Sequence, residues 1–125
     1  MDPLRDLDEL ELQQIWDGVA ARSVHGERLT LAVVELDARS VVPEHAHDHE
    51  QLGVVLRGSV TFRVGDETRE FGPGGTWRIP SNVPHEVHVG AEGAVVIDVF
   101  APARTDWSDR QRLERPPSWP SPSLP

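Results

Sequence analysis

The segment His45-Ala46-His47-Asp48-His49-Glu50-Gln51 places imidazole, carboxylate and amide side chains within seven residues. Along an extended strand, residues two apart share a face, so His45 and His47 can project together, with Gln51 on the same parity. Two imidazole nitrogens and an amide oxygen form an incomplete metal site. His85, entered through the rigid turn Ile79-Pro80-Ser81-Asn82-Val83-Pro84, can complete it from a distant strand. The chain contains no cysteine, so any metal must be held by nitrogen and oxygen ligands. Such a set suits a divalent transition ion (Ni, Zn, Fe or Mn) and does not choose among them. His49 shares the parity of the ligands, yet zinc-like sites seldom take a fifth protein ligand. Glu50 could replace Gln51 if a bulge shifts the strand. The competing interpretation is a polar surface loop, which a lone His-x-His pair would not separate from a metal site. His25 and His88 read as surface or packing residues. If one strand runs through His85 and His88, His88 points away from the interior.

A second group lies on the last apolar segment, Ala94-Val95-Val96-Ile97-Asp98-Val99-Phe100. Val96, Asp98 and Phe100 share one strand face, and Val95, Ile97 and Val99 the other. The aliphatic face suits packing against another layer or a second copy of the chain. Asp98 then faces inward, where a carboxylate is costly unless it is paired or functional. A salt-bridged structural aspartate is the alternative.

The elements that must position these groups are mostly β. Arg28 to Leu36 is rich in branched apolar residues, and Val60, Phe62 and Val64 alternate with Thr61 and Arg63. Turn signals recur at Val64-Gly65-Asp66-Glu67, at Phe71-Gly72-Pro73-Gly74-Gly75 and at Gly90-Ala91-Glu92-Gly93, the last before the final strand. Short strands at that spacing predict an all-β sandwich or barrel. We divide the chain into an acidic N-terminal arm (1–14), a barrel (15–107) and an extended or disordered Pro-rich tail (108–125) bearing Trp119. At 125 residues one domain with one core is expected.

Charge and composition exclude several classes. The net charge of −9 repels a nucleic-acid backbone and an acidic membrane surface. No apolar run approaches the ~20 residues of a membrane span, and the N-terminus lacks the pattern of a signal peptide, so a cytoplasmic location is expected. All twelve basic residues are arginine, and tyrosine is absent, so neither a lysine Schiff base nor a tyrosine acid can operate. An anionic substrate needs a local cation, a metal or an arginine, to reverse the field inside a pocket.

Residues 43–89 resemble the two motifs of the cupin superfamily. His45, His47, Gln51 and Gly58 fit the first, and Ile79-Pro80-Ser81-Asn82-Val83-Pro84-His85 fits the second. The position of Gly58 favours Gln51 over Glu50 as the ligand. Asn82 stands where glycine is usual, and Gln51 where glutamate is commoner. The resemblance implies a single cupin barrel (a double-stranded β-helix, or jelly roll) with a metal on His45, His47, Gln51 and His85.

The run Asp98-Val99-Phe100-Ala101-Pro102-Ala103-Arg104-Thr105-Asp106-Trp107 is similar to the C-terminal signature of the pectin-degradation cupins that linearise unsaturated uronates. That resemblance implies ring opening of a 4,5-unsaturated uronate, a small anionic sugar, with functional Asp98, Phe100 and Arg104. Asp98 would be the general acid and base, Arg104 would grip the carboxylate, and Phe100 would form an apolar wall. Three neutral His and a neutral Gln leave the ion its full charge, where a Glu ligand would cancel part of it. Arg57, Ser59 and Gly75 depart from the family's usual acidic residues. Two other classes remain open: an Fe-dependent dioxygenase and a non-enzymatic small-molecule-binding or sensor cupin. The Val95–Ile97–Val99 face and the Trp119 arm predict a homodimer.

Overall fold

The computed structural model describes residues 2–120, so residue 1 and the end of the tail, 121–125, lie outside the described residues. The described residues form nine strands: β1 (Leu12–Trp16), β2 (Val19–His25), β3 (Thr30–Leu36), β4 (Val41–His45), β5 (Glu50–Val64), β6 (Glu67–Phe71), β7 (Thr76–Ile79), β8 (His85–Ala101) and β9 (Arg112–Leu113). Two 3-10 turns, Leu7–Glu9 and Thr105–Trp107, are the only helical elements among the described residues. Every strand pair is antiparallel, in the order β6-β5-β8-β3-β2-β1-β9, with β4 on β8 and β7 on β5.

The two long strands organise the fold. β5 and β8 pair from Glu50↔Ala101 to Val64↔His85, with a register shift between Val55 and Arg57 and a break between Gly58 and Val60. At the break Gly58 and Gly93 both take positive φ, 83° and 78°, and a Cβ on Gly58 would collide with the Gly93 carbonyl. Only glycine tolerates both demands. On one side of this kink β8 pairs with β3, and on the other with β4. The sheet therefore turns over on itself. Ala21, Ala32 and Val34 from one half join Val42, Phe62 and Val87 from the other in a single buried cluster.

Local alternation places the side chains as the sequence predicts. Val60 and Phe62 are buried between half-buried neighbours, and Val87 and Val89 flank an exposed His88. One expected turn differs. Gly90-Ala91-Glu92-Gly93 does not separate two strands. It bulges within the single strand β8, because the flanking residues stay paired to β5 on both sides.

The ends of the chain also join the sheet. Leu12 and Gln13, in the expected arm, pair with Leu113 and Arg112, in the expected tail. Paired backbone thus extends from Leu12 to Leu113, beyond the expected limits of 15–107. This covers the edge of β1, whose backbone groups would otherwise lack partners. Further along, Arg22 is buried with Nη1 on Glu35 at 2.8 Å and Nη2 on the Arg115 carbonyl, and Arg57 donates to the Ser118 carbonyl at 2.7 Å. These contacts hold the start of the Pro-rich segment against the sheet.

Candidate metal centre

The three histidines converge, but not by sharing a strand. His45 ends β4, His47 lies in the connection that follows, Gln51 is the second residue of β5 and His85 opens β8. The expectation that His45, His47 and Gln51 project from one strand by parity is therefore corrected. The chain leaves the ladder after His45, and the reversal between β4 and β5 aims the groups at one point. His45 and His85 are themselves cross-strand partners. One ligand nitrogen from each of His45, His47 and His85 lies within 4.8 Å of the others. His49 is not part of this group.

The hydrogen bonds prepare the imidazoles for a cation. Nδ1 of His45 meets the Pro43 carbonyl at 2.8 Å, that of His47 the His49 carbonyl at 2.9 Å, and that of His85 the Val83 carbonyl at 2.9 Å. A carbonyl only accepts, so each Nδ1 carries the proton and each Nε2 keeps its lone pair. Nε2 of His85 is buried without a partner. Nε2 of His47 lies 3.2 Å from Oε1 of Gln51. With those tautomers both atoms are acceptors, and a shared cation reconciles them. Burial pushes the His45 and His47 imidazoles below their ordinary value, and His85 down to about 4. No proton then has to be displaced near neutral pH. The donor set of His45, His47 and His85 could hold a metal ion, and Oε1 of Gln51 lies beside it.

Asp98 stands beside this group. Its Oδ1 accepts from Nε2 of Gln51 at 2.8 Å and from Nε1 of Trp77 at 2.8 Å. It is 7% exposed and has no ion pair among the described residues. Burial pushes its carboxyl up to about 6, against the pull of the Gln51 and Trp77 hydrogen bonds and the Arg104 charge. A salt-bridged structural role is thus not what its surroundings provide. Val96, Asp98 and Phe100 all face the cavity that the histidines line.

Arg104 and Phe100 complete one wall. The guanidinium lies over the rings of both Phe100 and Trp107, 4.7 and 4.5 Å from their centroids, which are 5.2 Å apart. Its Nε and Nη2 donate to the two oxygens of Asp106 at 3.0 and 2.9 Å. That ion pair holds the Asp106 carboxyl below its usual range. The fork expected to grip a substrate carboxylate is thus already engaged by a carboxylate of this chain. The Arg104 charge still reaches the site, where it disfavours protonation of all three histidines. His49 lies near the same pair, with Nε2 3.9 Å from Asp106 Oδ1.

Two participants escaped the sequence reading. Trp77 alternates with Thr76 and Arg78 in a short strand, a signal of burial but not of a partner. Asp106 lies two residues past Arg104, a spacing that only the 3-10 turn after Arg104 converts into a bidentate pair.

Residues 32–100 match the family model of the cupin domain. The chain is 28% identical over 102 residues to the pectin degradation protein KdgF of Dickeya dadantii (strain 3937), covering 80% of this chain and 93% of that protein. The solved structure of KdgF from Halomonas sp. superposes with a TM-score of 0.77 at 26% identity, over 85% of this chain and 98% of that one. An RmlC-like cupin from Shewanella frigidimarina NCIMB 400 gives a TM-score of 0.78 at 23% identity, over 85% and 96%.

Proposed function

Because the chain belongs to the cupin domain family, we propose that it is a metal-dependent enzyme that ring-opens 4,5-unsaturated uronates. The observation that carries this reading is Asp98: a buried carboxyl, without an ion pair, on the wall of the cavity that the three histidines line. Its likeness to two KdgF proteins, one named for pectin degradation, supports the choice of substrate.

The reaction needs no oxidant. A proton leaves the hemiacetal hydroxyl, whose oxygen becomes the aldehyde carbonyl as the ring C–O bond breaks, and the enolate so released becomes a ketone as the neighbouring carbon takes a proton. A divalent ion, which His45, His47, His85 and Gln51 would hold, would supply a Lewis acid there. Asp98 receives the first proton and delivers the second, and burial holds its carboxyl near 6, between the extremes of a fixed acid and a fixed base. Phe100, 4% exposed, excludes water from that wall. Arg104 adds positive charge for the substrate carboxylate, either through its remaining N–H groups or by exchanging Asp106.

The test is loss of the conjugated ultraviolet absorbance of unsaturated galacturonate, run anaerobically with the Zn- or Ni-loaded protein. Turnover there is the expected result, and it would also exclude the dioxygenase class. An inert protein that binds the sugar would favour the non-enzymatic reading, which the occupied fork of Arg104 independently supports.

The protein is also proposed to be a homodimer. Val24, Leu31 and Leu52 are exposed on the outer sheet face at 48%, 40% and 48%. Register places Leu31 beside Val24, and Val99 between Leu31 and Leu52, making one apolar row across β2, β3, β8 and β5. Light scattering at micromolar concentration should give twice the chain mass, and Leu31→Glu with Leu52→Glu should halve it. A monomeric wild type would sink the proposal.

A further inference from the structure

Trp77 on β7, Gly53 on β5 and Asp98 on β8 lie at one level of the sheet, with Gly53 registered against both of the others. β7 and β8 are two strands apart, on the order of 9–10 Å at the usual strand spacing. A side chain on the middle strand would normally separate them. Gly53 has none, and a Cβ there would collide with Nε1, Cε2 and Cζ2 of the Trp77 indole. Its backbone is not among the positive-φ positions, so conformational freedom does not account for this glycine. The indole occupies the space and donates through Nε1 to Oδ1 of Asp98 at 2.8 Å. Phe62 fixes the ring from one side, with centroids 4.7 Å apart at 30°, and Phe71 approaches at 6.4 Å.

We infer that Trp77 is a positioning residue for Asp98, acting through the gap at Gly53. Oδ1 of Asp98 already accepts N–H groups from Trp77 and Gln51, so it has no place for a proton. Oδ2 takes no hydrogen bond among the described residues and is therefore the oxygen left to exchange a proton with a bound molecule. Gln51, when it serves a metal through Oε1, still donates from Nε2, and Trp77 supplies the second constraint that stops the carboxyl from rotating. This role rests on the proposed function only in naming Asp98 as the proton-transfer group.

Trp77→Phe keeps an aromatic ring against Phe62 and removes the donor. It should lower kcat on the unsaturated uronate by about tenfold, less than the ~10²–10⁴-fold of a general acid–base group because Asp98 itself remains, with KM and metal content unchanged. Gly53→Ala should do the same by displacing the indole. An independent readout uses no turnover. The Trp77 indole N–H resonance, assigned as the one lost in Trp77→Phe, should shift in Asp98→Asn and in Gly53→Ala. Unchanged kcat in a folded, metal-loaded Trp77→Phe protein would overturn the inference. So would an indole resonance indifferent to Asp98→Asn. If the wild type is inert on the uronate, the proposed function falls, and the resonance alone decides whether Trp77 holds Asp98.

Discussion

Asp98→Asn is expected to lower turnover on the unsaturated uronate by about 10²-fold or more, with metal content unchanged. Asparagine keeps the shape and leaves an oxygen to accept from Trp77 and Gln51, so the neighbours retain their partners. What it removes is the group that can take and return a proton. The stability of the metal-free variant separates this role from a structural one. The Asp98 carboxyl is raised from 3.8 to about 6, chiefly by burial. Its folded value lies above its unfolded value, so the stability linked to it is fully present below the unfolded value and is lost as pH rises through about 6. At pH 8 the folded protein carries a buried charge that asparagine lacks. The metal-free variant should therefore melt no lower than wild type at pH 8, with a gain on the order of 1–3 kcal/mol at most, and the gain should vanish near pH 4. Thermal melts at the two pH values check this. A variant that unfolds or loses metal would show that Asp98 is structural.

His85→Ala should weaken metal binding by more than about 10²-fold, since loss of even an outer-shell partner costs 10–100-fold. Its side chain is among the most buried in the molecule, its Nδ1 is tied to the Val83 carbonyl, and its Nε2 has no other partner. Wild type should take up about one ion per chain, by elemental analysis of protein purified without chelators. Bound metal stabilises the fold by mass action, roughly 2.7 kcal/mol when free metal is 100 times Kd. Added metal should accordingly raise the melting temperature of wild type and not that of the alanine variant. Equal uptake by both proteins would remove His85 from the site. No uptake by either would remove the site itself.

The order of residues alone specified which side chains meet at the centre. His45, His47 and His85 converge, and Gln51 contacts His47. It also determined that Asp98 and Phe100 face inward while His88 faces out, because alternation along a strand is a local property with a period of two. The all-β class followed from the same alternation and from the glycine and proline turns. Tertiary structure decided the rest, since each remaining feature depends on register between segments far apart in the chain. The histidine tautomers are set by carbonyls whose direction follows from how the loops after β4 and before β8 turn. Gly90–Gly93 became a bulge within β8 because pairing to β5 resumes beyond it, and the ends of the chain entered the sheet because β1 offered an open edge. The link from Trp77 to Asp98 exists only because a glycine falls between them, a coincidence of two ladders that neither strand encodes alone.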